Sequence, residues 1–142
     1  MNSNLEKSAG ILRVLSDKTR LRMVGLFLST GKALCVCELM DALSEFQYSV
    51  SRHLKELKTA GLLKEKKEGR WVYYSLAKPR DEFQRLLFRA VSSIPQELLQ
   101  EDKKRLAARL SLREGDKCVV GLSSEQWAKL AKELSLEKTE HV

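Results

Sequence analysis

Cysteine, histidine and proline are all scarce in this chain of 142 residues, at three, two and two. Cys35, Cys37 and Cys118 are an odd set, so no disulfide framework of the kind that staples small secreted domains is expected. The thiols are left free or as metal ligands. His53 and His141 are too few for a histidine-rich zinc, nickel or cobalt site, so any soft-metal chemistry leans on sulfur. Long apolar runs are missing as well. Gly25-Leu26-Phe27-Leu28 and Cys118-Val119-Val120-Gly121-Leu122 fall far short of the roughly 18 residues of a membrane span. The opening Met1 to Lys7 has no basic patch followed by an apolar core, so it does not read as a secretory signal. A cytoplasmic chain with no membrane partner is the expectation. The sequence also lacks a glycine-rich phosphate loop, a Cys-x-x-Cys motif and any acid-base constellation, which argues against an enzyme, a thiol reductase included.

What is present is the composition of a soluble globular protein, with 43% hydrophobic and 32% charged residues. This length can bury a core unaided and suits one domain, or one domain with an appendage. The formal charge of +7 is unevenly placed: residues 1 to 78 carry 14 basic and 8 acidic side chains, and 79 to 142 carry 12 and 11. Phe46 to Lys78 alone holds eight Lys or Arg and three Glu. That concentration reads as an anion-facing surface, with a polyanion such as DNA as partner, or as a solubilising face.

Helical spacing predicts a first helix over Leu5 to Leu15 and a second to about Ser29, capped by Ser16-Asp17 and stopped at Gly31. A third covers Cys35 to Leu43, with Leu39, Met40 and Leu43 inward. The next, Gln47 to Ala60, carries a narrow apolar stripe of Val50, Leu54 and Leu57. Its opposite side offers Gln47, Tyr48, Ser49, Ser51, Arg52 and Lys55, small, polar and basic groups suited to base edges and phosphates. Two short helices joined by a tight turn have the layout of a helix-turn-helix, although such hairpins also occur as plain packing units. Leu62 to Leu76 then turns to strand chemistry around Glu68-Gly69, with Trp71, Tyr73 and Ser75 on one side and Val72, Tyr74 and Leu76 on the other. Lys66, Lys67 and Arg70 surround the tip, as phosphate contacts or as charges that protect an edge. A hairpin directly after such a helix makes a winged helix-turn-helix.

After Pro79, Asp81 to Val91 presents a wide apolar stripe of Phe83, Leu86, Leu87, Ala90 and Val91, a candidate dimer face. Pro95 ends it. A charged helix over about Gln96 to Leu110 follows, with Leu98, Leu99, Leu106 and Leu110 apolar. Cys118 to Leu122 is then a strand or buried loop. The last helix is capped by Ser123 or Ser124 and runs to about Leu134, and the tail from Glu137 frays.

Cys35 and Cys37 stand where a helix begins, a position that favours thiolate. Thiolates suit trivalent arsenic or antimony, cadmium and lead. On a regular helix residues two apart point about 200° from each other, so sharing one ion would require the first turn to unwind or distort. The plain alternative for each cysteine is a small buried hydrophobe. Met40 reads as core, and His53 as a helix-end hydrogen bonder or phosphate contact.

The run Ala33-Leu34-Cys35-Val36-Cys37-Glu38-Leu39, with Ser51-Arg52-His53-Leu54, Gly61-Leu62-Leu63 and Gly69-Arg70-Trp71-Val72-Tyr73-Tyr74, resembles the ArsR/SmtB family of metal-responsive repressors. Leu15-Ser16-Asp17-Lys18-Thr19-Arg20-Leu21 belongs to the same likeness, which covers roughly residues 9 to 78. The resemblance implies a homodimeric winged helix repressor that leaves double-stranded operator DNA when a metal or metalloid binds, and the cysteine pair is most similar to the arsenic-responsive and cadmium- or lead-responsive branches. The chain departs from both. Met40 stands where arsenite repressors of the best-known type carry a third cysteine, residues 1 to 34 hold no cysteine of the cadmium-sensor kind, and Asp81 to Ser93 holds no histidine for a zinc-type site. Cys118 is the thiol that remains, from the same chain or its partner.

The expectation is a mainly α fold with a β-hairpin wing. It comprises a winged helix-turn-helix DNA-binding and dimerisation domain over 1–94 and a helical C-terminal extension over 95–142 carrying Cys118. Arsenite or antimonite is the expected inducer, on Cys35, Cys37 and Cys118. A redox-sensing or cadmium- or lead-responsive repressor of the same fold is the alternative.

Overall fold

A computed structural model describes residues 3–122 and 124–134. His141, Ser123 and the tail from 137, on which expectations were placed above, lie outside the described residues. The order is α1 (Ser3–Leu15), α2 (Lys18–Thr30), β1 (Leu34–Cys35), α3 (Val36–Leu43), α4 (Gln47–Thr59), β2 (Leu63–Glu68), β3 (Trp71–Leu76), α5 (Glu82–Ser92), a 3₁₀ turn (Gln96–Leu98), α6 (Gln100–Leu110) and α7 (Glu125–Glu133). Among the described residues no helix is long and apolar enough to cross a membrane.

The helix ends follow local chemistry. Asp17 accepts from the Arg20 N–H at 3.0 Å to start α2, and Gly31 ends it in the left-handed region at φ 66°, where a missing Cβ removes the steric cost. Asp81 caps α5 and Ser124 caps α7 in the same way. The last carbonyls of α3 are satisfied from other elements: Arg105 Nε donates to Ala42 O at 2.7 Å and Arg22 Nη2 to Leu43 O at 2.8 Å. Both arginines also hold Asp102, which is buried on α6.

The three strands form an antiparallel sheet in the order β1-β3-β2. β1, two residues long, was not expected; its register sets Leu34 against Tyr74 and Cys35 against Tyr73. Periodicity has nothing to grip in so short a strand. The two faces of the sheet do different things. Tyr74 and Leu76 pack on the main core with Leu26, Phe27, Leu39, Leu54 and Leu57, whereas Tyr73 and Trp71 pack with Cys35, Cys37 and Cys118.

One further reading is corrected and two are made specific. The stripe on α5 divides: Val91 is buried and Phe83 and Leu87 pack on the main core, beside buried Gln84 and Phe88, while Leu86 and Ala90 stand exposed. The helix expected from Gln96 starts only at Gln100, because Leu99 leaves helical geometry (φ −112°, ψ 3°); its side chain lies over Gly25, where an added Cβ would stand 2.6 Å from Leu99 Cδ1. Of strand or buried loop, residues 118–121 form the loop, with Cys118 and Val120 buried. The chain after Pro95 folds back onto α2 and α3, and Leu106 and Leu110 join the main core.

Candidate metal centre and nucleic-acid interface

Three elements bring the cysteines together. Cys35 is both the end of β1 and the residue that precedes α3, with extended backbone (φ −96°, ψ 167°), and its N–H donates to Glu38 Oε1 at 3.1 Å. Cys37 lies in the first turn of α3. Cys118 sits on the loop after α6, fixed by its N–H, which donates to the Tyr73 hydroxyl at 2.9 Å. The sulfurs of Cys35 and Cys37 are 3.1 Å apart, those of Cys37 and Cys118 3.5 Å, and all three lie within 4.8 Å of one another in one chain.

The pair meets without any unwinding of α3, because the departure from helical geometry is already present at Cys35. The 200° divergence holds for two helical residues, but Cys35 is not helical, and its extended backbone turns its sulfur to the side of Cys37. The donor set also fits one soft ion. Taking a zinc–thiolate length of about 2.3 Å as a yardstick, three sulfurs in a pyramid with angles near 95° sit about 3.4 Å apart.

The thiols are 2 or 3% exposed and share a proton network. Cys37 and Cys118 both turn to Val120 O, at 3.5 and 3.4 Å. Hydrogen bonds to the other two thiols, then burial, raise Cys35 above the usual thiol range. Cys37 is pushed up to about 11, chiefly by its bond to Cys118. Cys118 is lowered, because its thiolate accepts from Cys35 and Cys37 and faces the Arg109 guanidinium. The three titrate as a coupled unit.

The surrounding charges escaped the sequence reading. Arg113 takes Glu38 with two bonds of 2.7 Å and also donates to Ala33 O. Arg109, fully buried, donates to Asp41 Oδ2 at 2.7 Å and to Val120 O at 2.6 Å. The one available signal was arginine at four-residue intervals, 105, 109 and 113, which puts three guanidiniums on one side of α6 and its continuation.

The expected DNA face is laid out on α4 and the hairpin. Gln47, Tyr48, Ser51, Arg52 and Lys55 are exposed, and Arg52 lies over the Tyr48 ring at 5.9 Å. Ser49 is half-buried and donates to Glu45 Oε1 at 3.2 Å, so its hydroxyl is engaged within the protein. Lys66, Lys67 and Arg70 are exposed near the hairpin tip, Lys66 beside Glu68 and Arg70 over the Trp71 ring. Phe46, just before α4, is 78% exposed and was not singled out from sequence. His53 is buried instead of facing outward. Arg20 Nη1 stands 3.2 Å from its Nδ1, and since a guanidinium only donates, Nδ1 accepts and the ring is neutral.

Comparison with known proteins places this arrangement. A family model described as bacterial regulatory protein, arsR family, matches residues 17–65. The arsenic resistance transcriptional regulator ArsR1 of Pseudomonas putida is 40% identical over 97 residues, 68% of this chain and 75% of that protein. The chain belongs to the ArsR family. It is therefore a transcriptional regulator and not an enzyme. A cadmium resistance regulatory protein CadC homolog of Staphylococcus aureus is 40% identical over 68 residues, 48% of this chain and 55% of that protein. Among solved structures, the homodimeric winged helix-turn-helix DNA-binding domain Mb0332 of Mycobacterium bovis superposes with a TM-score of 0.52 at 26% identity, covering 70% of this ArsR-family chain and 83% of that one.

Proposed function

We propose that this protein is a homodimeric repressor that leaves its operator when trivalent arsenic or antimony is taken by Cys35, Cys37 and Cys118 of one chain. The observation that carries this reading is the cluster of three buried sulfurs with separations of 3.1 and 3.5 Å, together with a relative whose name specifies arsenic resistance. The chemistry balances without a cofactor: arsenous acid and three thiols give the trithiolate complex and three waters. Gln47, Tyr48, Ser51 and Arg52 read the groove, Ser49 orders Glu45 behind them, Lys55 meets phosphate, and Lys66, Lys67 and Arg70 hold the wing on the backbone.

Two connections lead from the sulfurs to that surface. Cys37 stands on α3, which packs against α4. Cys118 is tied to the wing by the Tyr73 hydroxyl on β3 and by the neighbouring ion pair of Lys117 with Glu68. Closure of three sulfurs onto one centre moves both, so inducer and operator weaken each other reciprocally. Operator binding titrated in parallel with arsenite, antimonite, cadmium, lead and zinc tests this: arsenite and antimonite release wild-type protein, and Cys37→Ser stays on DNA. Release of Cys37→Ser by arsenite, or equal arsenite affinity of free and operator-bound protein, overturns it. The 3.1 Å contact also favours a second reading, in which peroxide oxidises two thiols to a disulfide and is reduced to two waters. Thiol mass after peroxide separates the two.

A further inference from the structure

Around the three sulfurs stand two ion pairs whose charges cancel, Glu38 fully buried in one and Asp41 half-buried in the other. Arg109 is fully buried; its Nε donates to Asp41 Oδ2, its Nη2 to Val120 O, and its Nη1, also buried, has no hydrogen-bond partner among the described residues. Glu38 is fully buried and is held by Arg113 and by the Cys35 N–H. Two guanidiniums thus face two carboxylates. Three thiolates on a trivalent centre make a neutral complex, whereas three thiolates on a divalent cation make one of charge −1 and release three protons. A buried charge without a counter-charge is strongly disfavoured. Arg109 alone would supply that counter-charge, because its Nη2 and the sulfurs of Cys37 and Cys118 converge on the same Val120 carbonyl oxygen, at 2.6, 3.5 and 3.4 Å. Asp41 cancels it.

We propose that the Arg109–Asp41 pair sets the preference of this site for a trivalent metalloid over a divalent cation, with Asp41 as the specificity-determining residue. The proposal rests on the thiolate reading above and adds what the site rejects. Without the Asp41 charge, the guanidinium is left uncompensated beside the sulfurs, and the anionic complex of a divalent ion is the occupant that neutralises it. Removal of the Arg109 charge acts in the opposite sense. The pair is a positioning device of fixed charge, distinct from the ligands themselves.

Arsenite and cadmium chloride, competed against dithiothreitol on the full chain and followed by sulfur-to-metal absorbance, provide the test. The wild-type ratio of arsenite to cadmium affinity should exceed that of dithiothreitol, whose sulfurs are in water. Asp41→Asn, which keeps an oxygen for Arg109, should shift the ratio toward cadmium by about tenfold or more. Asp41→Glu should leave it near wild type, and Arg109→Gln should shift it further toward arsenite. Shifts of the same sign in Asp41→Asn and Arg109→Gln, or none in either, overturn the proposal while leaving arsenite-driven operator release intact. A wild-type ratio no higher than that of dithiothreitol overturns it whether or not the variants fold. Wild-type protein that binds neither metal overturns this proposal and the functional reading together.

Discussion

Serine can replace each cysteine with little steric cost, yet the three positions are not equivalent. Cys35 precedes α3 with extended backbone, a place where serine is a favoured cap, so Cys35→Ser should hold or slightly raise thermal stability while abolishing arsenite-driven release. Cys118 is anchored through its backbone N–H by Tyr73, and a serine there keeps that bond. Cys118→Ser should therefore bind operator normally and lose arsenite affinity steeply, by a factor of about 100 or more if one thiolate bond is worth about 3 kcal/mol. Isothermal titration would measure it, and an unchanged affinity would reduce the site to two thiolates. His53 carries a different kind of prediction. Burial, ahead of the opposing Asp17 charge, holds its pKa below the ordinary 6.5, so the unfolded chain binds more protons in the interval between the two values. Stability is then full above the ordinary value and falls as pH drops through it. Urea midpoints at pH 7.5 and 5.5 should differ less in His53→Gln than in wild type.

At the scale of elements, the hairpin does two jobs, because β3 lays Tyr74 and Leu76 on the main core and Tyr73 and Trp71 on the sulfurs. Tyr73→Phe removes the bond to the Cys118 N–H but keeps the ring on which Arg113 and Lys117 sit at 5.8 and 5.7 Å. Operator affinity without inducer and arsenite affinity without DNA should each change by less than about threefold, while the factor by which arsenite weakens operator binding shrinks toward one, since the loop no longer pulls on the wing. A full coupling factor in Tyr73→Phe would place the transmission entirely through α3. Lys67→Ala at the wing tip should flatten the slope of log affinity against log salt by about 0.9, measured by fluorescence anisotropy. Helices and hairpin were legible in the sequence because their signals are local: Asp17 and Gly31 bracket α2, and Val50, Leu54 and Leu57 repeat at helical spacing. The two-residue β1 was not, nor the start of α6 at Gln100, because partners far along the chain decide both. The same holds at the site. Cys35 and Cys37 announce themselves by their spacing, but Asp41, Arg109 and Arg113 look like ordinary surface charges until α6 folds onto α3.

For the whole molecule, the arrangement of apolar surface decides how many copies act together. Leu5 and Leu12 on α1 are 68% and 50% exposed, and Leu86 on α5 is 47% exposed, although α2 between them contributes Met23, Val24 and Leu26 to the core without exposure. α1 and α5 thus keep apolar side chains for a surface that the single chain does not supply. In the proposed homodimer a two-fold axis pairs like with like, and two copies of α4 set about one DNA turn, roughly 34 Å, apart would make the operator near-palindromic. Leu86→Glu buries a carboxylate in that interface and should convert a micromolar dimer to monomer in sedimentation velocity, with the intrachain sulfur site still taking one arsenite per chain. Operator affinity should drop by more than about 100-fold, because a monomer contacts only one half-site, whereas arsenite affinity stays within about twofold. A Leu86→Glu protein that remains dimeric would move the interface off α5, and one that loses arsenite binding along with dimerisation would mean that the site needs the second chain.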